Sequence, residues 1–224
     1  MVILLNFTSQ SRQIKAYLFY QQHLSLEALF LLNKCNNADY FEVLKAAVND
    51  PYELIRRQAA RMIGDSGSDE LVPALVQLAL SSRNNLRVAV AAKSSLSFMN
   101  TKAVIAATNN NKIISDANYT AKKLEEDSKV TFDPQAELKQ RYFNITTLRN
   151  YNYHSLVPKV IALAEDKKDN EKLRVAAIEA LSWFTHSYQR VQILQLCDKI
   201  LQDKEDSNAV HEQAERTRAI LQNF

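Results

Sequence analysis

The chain has 224 residues, of which two are glycine and four are proline, where average usage predicts about sixteen and about eleven. So few turn-forming residues exclude hairpin-rich β folds, phosphate-binding glycine loops and dinucleotide-binding fingerprints. The 46% hydrophobic and 24% charged residues are typical of a globular chain, and the formal net charge of +3 is spread evenly, which disfavours a nucleic-acid surface. The fold class that remains is one of helices joined by short polar turns.

The first eight residues stand apart from the rest of the chain. Residues 2–7 have the pattern of a β-strand that no other strand accompanies, so residues 1–8 are interpreted as a remnant strand or a linker. The apolar start is too short for a secretion signal, and no later run is long enough to span a membrane. We therefore expect a soluble chain, cytoplasmic if Met1 is the native start and periplasmic if it was cut from a secreted parent.

The pattern of the first helices is clearest at residues 50–64, after an earlier predicted helix at residues 24–32. Pro51 is expected in the first helical turn, where its missing N–H is not needed for a hydrogen bond. Gly64 follows the last apolar residue and is predicted to cap the helix, and Gly67 is assigned to the turn after it. The two glycines are thus both explained by turns.

An internal repeat organises the sequence. Residues 71–80 and 156–165 both begin Leu-Val-Pro, at Pro73 and Pro158, and continue with apolar residues in the same register. Each copy is followed by a polar turn and a Leu-Arg pair, at Arg87 and Arg174. The offset is 85 residues at the prolines and 87 at the arginines, so two extra residues are assigned to the second turn. Such an offset predicts two or three intervening repeats of roughly 30–45 residues.

The second helix of each copy has two apolar flanks. Over residues 173–184, small or apolar side chains recur at the helical period on one face, and Val175 and Ile178 extend a second flank. Alanines at the centre allow neighbouring helices to approach closely. A helix that is buried on both sides needs a helical neighbour on each side, and a stack of helix pairs provides this.

These segments resemble the HEAT-repeat family: a first helix with Leu-Val-Pro near its start, a short turn, then an apolar residue and an arginine followed by small residues. Arg56, Arg87 and Arg174 take the family's arginine position, and the resemblance implies that they are structural rather than ligand-binding. It also implies partners for them in the turns between repeats: Asp50, Asn85 and Asn170.

The resemblance implies an all-α fold, an α–α superhelix of about six or seven antiparallel helix pairs that forms a single domain over residues 1–224. Residues 9–99 are assigned to N-terminal repeats, residues 100–153 to degenerate repeats and residues 154–224 to C-terminal repeats. Within the degenerate part, residues 113–124 and 136–148 are predicted helical. The structural residues of the repeats are Pro51, Pro73, Pro158 and the three arginines.

No catalytic, metal-binding or cofactor-binding constellation can be assembled from the sequence. The four histidines contain no i, i+4 pair, and the His-Glu segment that starts at His211 has Glu215 where a zinc-peptidase helix has its second histidine. Cys35 and Cys197 lie in apolar helical contexts and are interpreted as buried, unreactive thiols. We therefore predict no enzymatic activity in this chain and no cofactor.

The least regular region, residues 140–155, offers a candidate interaction patch. Tyr142, Tyr151, Tyr153 and His154 form an amphipathic cluster of the kind that is enriched at interfaces. The alternative is a junction between repeats in which the tyrosines pack between layers with wet hydroxyls. Trp183 and Phe184 end a well-matched helix and are predicted to be core residues.

Three functional hypotheses follow, and the first is preferred at this point. The order of strand, helix and Asp-Pro-Tyr turn resembles the C-terminal helical region of M1-type zinc aminopeptidases. That resemblance implies a non-catalytic domain of a larger peptidase, which walls or caps its active site and contacts upstream domains of the same polypeptide. No zinc or catalytic motif of that family is present, so no functional residue is transferred.

The second hypothesis is a standalone HEAT adaptor that binds a protein or peptide on its concave surface. A third group, the DNA-glycosylase-like and bilin-lyase-like solenoids, is less favoured, since the mixed charge argues against a phosphate-binding groove and no residue supports the bilin lyases. We therefore expect a protein or peptide partner, and neither nucleic acid nor membrane.

Overall fold

Eleven α-helices make up most of the described part of the chain. The computed structural model describes residues 39–81, 86–108, 119–148 and 153–223, and within these ranges there is no β-strand. The chain divides into two compact units, Met1–Val43 and Leu44–Phe224, and the contacts that position the site all lie within the second. The predicted strand at residues 2–7, the helix at residues 24–32 and Cys35 lie outside the described residues.

Among the described residues, a 3-10 turn precedes two of the helices, at Asp69–Leu71 and at His154–Leu156. In chain order the helices are α1 Asp39–Ala47, α2 Glu53–Ser66, α3 Val72–Leu80, α4 Leu86–Met99, α5 Lys102–Ala107, α6 Tyr119–Thr131, α7 Leu138–Leu148, α8 Val157–Glu165, α9 Glu171–Leu181, α10 Arg190–Gln202 and α11 Asn208–Asn223.

Helices pack as sequential pairs, and the second helices of successive pairs also pack on one another. The pairs are α3 with α4, α6 with α7, α8 with α9, and α10 with α11, while α2 packs on α4, α7 on α9, and α9 on α11. A helix such as α9 is thereby covered on both flanks, as its two apolar flanks require. The all-α stack of helix pairs predicted from the sequence is confirmed.

Small side chains lie at the centre of this stack. Ala176, Ala177 and Ala180 of α9 are buried in the core that this helix shares with α7, α8 and α11. Phe184 is buried as predicted, but Trp183 is 53% exposed, so its assignment to the core is wrong. Both residues lie beyond the end of α9 at Leu181, so the helical period does not decide which of them is buried.

The internal repeat is structural, with a register that differs from the sequence alignment. Pro73 and Pro158 each lie at the start of their helix, as predicted. However, α4 begins at Leu86 and α9 at Glu171, so the offset is 85 residues here too, and no insertion separates the copies. Val88 is the equivalent of Leu173, and both are fully buried, whereas Leu86 is 78% exposed. The Leu-Arg pair at residues 86–87 is therefore not the equivalent of the one at residues 173–174.

Gly64 and Gly67 have different roles from each other. Helix α2 continues through Gly64 and ends at Ser66, and Gly67 caps it in the left-handed conformation with a φ of 65°. Gly64 is therefore not the C-cap that the sequence suggests. A Cβ atom on Gly64 would lie 2.5 Å from Ser95 Oγ, so the lack of a side chain at this position allows α2 and α4 to approach closely. Pro51 precedes the helix, which begins at Glu53 after the N-cap Tyr52, instead of occupying its first turn.

Candidate functional site

Buried arginines connect successive helix pairs. Arg174 of α9 donates from Nε to the carbonyl oxygen of Ala164 (3.0 Å) and from Nη1 to Asp206 Oδ1 (2.7 Å). The Arg174 and Asp206 side chains are 7% and 3% exposed. The guanidinium thus joins the end of the preceding helix to the turn before α11. The structural role predicted for Arg174 fits this geometry, but its side-chain partner is Asp206, while Asn170 caps α9 by accepting from the Lys172 N–H.

Arg141 of α7 repeats this arrangement one pair earlier, although the sequence pattern did not include it. Its Nε donates to the carbonyl oxygen of Thr131 (3.0 Å), and its two terminal nitrogens donate to the carboxylate of Asp169 at 3.0 and 2.6 Å. These bonds hold the pKa of Asp169 below its usual value. Gln140 rather than an apolar residue precedes Arg141, which hides it from a search for the apolar-Arg pair.

The other two predicted repeat arginines behave differently from Arg174. Arg56 is buried and donates to the carbonyl oxygens of Asp50 (2.7 Å) and Pro51 (2.9 Å), so it stabilises the turn before its own helix through backbone groups. Burial raises the pKa of the Asp50 carboxyl, against smaller opposing effects of the Tyr52 N–H and Arg56. Arg87 is exposed at the start of α4, because it lies two residues away from the buried position that Arg174 occupies. Its predicted partner Asn85 lies outside the described residues.

The predicted aromatic patch does not form one surface. Tyr142 is 45% exposed on α7, next to the exposed Phe143, whereas Tyr151 lies outside the described residues. Tyr153 and His154 are buried, so they cannot present a surface to a partner. The Tyr153 hydroxyl accepts a hydrogen bond from Asn100 Nδ2 (2.6 Å), and burial is the main cause that raises its pKa to about 12. Two of the four proposed contact residues are therefore internal.

His154 lies at the meeting point of three chain segments. Its Nε2 is 2.9 Å from the carbonyl oxygen of Gly64, and its Nδ1 is 3.3 Å from Ser187 Oγ. The carbonyl can only accept, so Nε2 carries the proton and Nδ1 accepts from the Ser187 hydroxyl. Burial lowers the pKa of His154 to about 4. A Ser–His pair can activate a nucleophile, but Ser187 is itself buried, and we interpret the pair as structural.

Cys197 is also sequestered. It is fully buried in α10, and burial, with a contribution from Asp198, raises the pKa of its thiol to about 11. A thiol in this state is protonated at neutral pH and a poor nucleophile. The prediction that Cys197 is buried is confirmed, and its lack of reactivity stays a prediction.

An open groove lies between α2 and α4, with a volume of about 420 Å³. Arg57 and Arg61 line it from α2, one helical turn apart, and Arg87 lines it from α4. The remaining lining residues are small or apolar: Val90, Ala91, Ser94 and Ser95. We call this site the arginine groove. Neither the repeat pattern nor the overall charge points to it, because it depends on side chains that two helices bring together.

The base of the arginine groove is set by the close approach of the two helices. Ser95 Oγ donates to the carbonyl oxygen of Ala60 (2.9 Å), and Gly64 leaves room for the Ser95 side chain. Arg57 Nε is buried, and among the described residues it has no hydrogen-bond partner. A guanidinium N–H without an acceptor is uncommon in a buried setting. The groups that an anionic partner can reach are the exposed arginines of the groove, Arg61 and Arg87.

Comparison with known proteins supports the class of this fold. Residues 23–107 match the model of the family described as HEAT repeats, a segment that includes both helices of the arginine groove. The described helices form an α-solenoid of stacked pairs, and the match to HEAT repeats within it is confined to residues 23–107. Human deoxyhypusine hydroxylase in complex with glycerol is a similar solved structure, with 14% sequence identity over 88% of this chain and 90% of that chain and a TM-score of 0.32. That score is too low to support an argument about function. No curated protein matches the chain.

Two further observations concern membranes and metal ions. None of the helices in the described ranges is long and apolar enough to cross a membrane. Across the same ranges, no group of three or more His, Cys, Asp and Glu side chains is arranged to hold a metal ion.

Proposed function

We propose that this chain is a non-catalytic HEAT-like scaffold that binds a protein or peptide on the exposed face of its second helices. The arginine groove carries the proposal, because it combines an open shape with three arginines and, among the described residues, no acidic side chain in its lining. By contrast, Arg141, Arg174 and His154 are occupied by internal partners. Helical repeats of this kind work by presenting an extended surface.

The aminopeptidase hypothesis is a narrower form of the same proposal. In it, the bound partner is an upstream domain of the same polypeptide, and the scaffold walls or caps a peptidase active site. It rests on the order and spacing of elements in the sequence, and the family and structure comparisons give it no support. We therefore favour the general form, in which the partner is a protein or peptide.

A random peptide library selected against the full 224-residue chain tests the proposal. We expect repeated selection to enrich a family of related peptides that bind saturably with one peptide per chain when measured by calorimetry. The same library selected against the unfolded chain is the control. If the folded chain enriches no family, or only the peptides that the unfolded chain also retains, the scaffold proposal is wrong.

A further inference from the structure

We propose that the arginine groove is the docking site for an acidic peptide segment of a protein partner, whose carboxylates pair with Arg57, Arg61 and Arg87. This inference rests on the proposed function and specifies the chemistry of the partner. The three guanidinium groups come from two helices whose spacing is fixed by the contact of Ser95 with Ala60. A rigid spacing of this kind favours binding, because the two helices do not need to be rearranged when the partner arrives.

The charges of the groove favour an anionic partner. Each guanidinium has a planar array of N–H donors that matches a carboxylate, and no acidic side chain lines the groove within the described residues. Arg57 adds its positive charge to the groove, and its buried Nε has no acceptor among those residues. A carboxylate at the mouth of the groove would pair with the exposed Arg61 and Arg87 and would lie close to the charge of Arg57.

The neighbouring surface favours a peptide over a nucleic acid. Val90 lines the groove and is half exposed, and Leu86, one turn earlier on α4, is more exposed still. An acidic segment that also carries apolar side chains can cover these residues while its carboxylates bind the arginines. Nucleic acid instead needs many basic groups along one face, and the net charge of +3 is spread over the whole chain.

Fluorescence anisotropy with a defined probe tests this inference. The probe is a labelled peptide of about twelve residues that alternates paired glutamates with leucine, and its matched control has glutamine at every glutamate. We expect the glutamate peptide to bind saturably and the glutamine peptide to bind at least about tenfold more weakly. Raising the ionic strength from about 0.05 M to about 0.5 M should also weaken the binding of the glutamate peptide.

Substitutions locate the site. The triple variant Arg57→Gln, Arg61→Gln, Arg87→Gln should weaken binding of the glutamate peptide by about tenfold or more. Because Arg57 is half buried, the single variant Arg87→Gln, at an exposed position, is measured as well and should weaken binding by a smaller factor. Arg216→Gln removes one charge, as Arg87→Gln does, but from an exposed position on α11, and should leave binding within about twofold.

Three outcomes overturn the inference: equal binding of the glutamate and glutamine peptides, unchanged binding by the triple variant, or tighter binding of a single-stranded oligonucleotide of equal charge. The failure of the scaffold proposal is distinguishable from these. If the library selection enriches peptides without acidic residues, or peptides whose binding ignores the three arginines, the chain is a scaffold whose binding site lies elsewhere. If the selection enriches nothing, the scaffold proposal itself is wrong.

Discussion

His154 Nε2 lies 2.9 Å from the carbonyl oxygen of Gly64, which is 90 residues earlier in the chain. The other ring nitrogen faces Ser187, and the N–H of Tyr188 donates to the carbonyl oxygen of Ser66 (2.8 Å). The C-terminal end of α2 is thus bonded to the turn that precedes α8 and to the segment that follows α9. These contacts join repeats that are distant in sequence, in addition to the contacts between neighbouring repeats.

The burial of His154 predicts a pH-dependent stability. Its folded-state pKa of about 4 lies below the ordinary value of 6.5, so the unfolded chain binds the proton more readily. The stability contributed by the neutral ring is therefore complete above pH 6.5 and is lost as the pH falls from 6.5 towards 4. Protonation of this one site would cost on the order of 3 kcal/mol at the low end of that range.

Urea denaturation at a series of pH values measures this effect. The variant His154→Gln should be less stable than the native chain at pH 7 but should lose less free energy of unfolding on acidification. His211→Gln removes a histidine that is only partly buried and serves as the control. An unchanged pH dependence in His154→Gln would mean that another group causes the acid sensitivity.

The pair formed by Arg174 and Asp206 predicts a large loss of stability when one partner is removed. Arg174→Met should lower the free energy of unfolding by about 3–5 kcal/mol, because it leaves the Asp206 carboxylate buried without a partner. Adding Asp206→Leu should restore much of that loss, since no charge then remains buried. Chemical denaturation of the single and double variants measures both effects.

Lys199→Met is the matched control for Arg174→Met. Lys199 forms an ion pair with Glu165 at 2.7 Å, but its side chain is exposed, so its loss should change the free energy of unfolding by less than about 1 kcal/mol. If the double variant is no more stable than Arg174→Met, the unpaired charge is not the origin of the loss.

The contact between Gly64 and Ser95 predicts an effect of unusual sign. Replacing a glycine inside a helix with alanine ordinarily stabilises a protein by up to about 1 kcal/mol. Gly64→Ala should instead destabilise it by about 1–3 kcal/mol, because the new Cβ would lie 2.5 Å from Ser95 Oγ.

Adding Ser95→Gly should recover part of this loss, because it removes both the Oγ and the Cβ atom that the alanine meets. Thermal and urea denaturation of the single and double variants make the comparison. A stabilising Gly64→Ala would show that α2 and α4 are less closely packed than their contacts indicate.

Much of the fold could be predicted from the sequence because its signals are local. The apolar flanks of residues 173–184 specify a helix with neighbours on both sides, and Pro73 and Pro158 mark two helix starts. The sequence alone predicts the wrong register between the second helices of the two copies, because Leu-Arg at residues 86–87 is identical to Leu-Arg at residues 173–174. Val88 and Leu173 are instead the equivalent residues, since both are fully buried. Burial depends on how both faces of a helix pack, which the local sequence does not specify.

The partners of the arginines could not be predicted in the same way. Asp169 and Asp206 each lie in the turn before the second helix of the next pair, so their relation to Arg141 and Arg174 exists only once the pairs are stacked. The arginine groove could not be predicted from the sequence for the same reason. Arg57 and Arg87 are 30 residues apart in a chain of nearly balanced charge, and their common function depends on the packing of α2 on α4.

Hydrogen exchange measured by mass spectrometry, with and without the glutamate peptide, tests the central claim most directly. The account predicts slower amide exchange in α2 and α4 when the peptide is bound, unchanged exchange in α10 and α11, and no slowing in the triple arginine variant. Protection that is absent from α2 and α4, or that persists in the triple variant, would contradict the assignment of the arginine groove as the binding site.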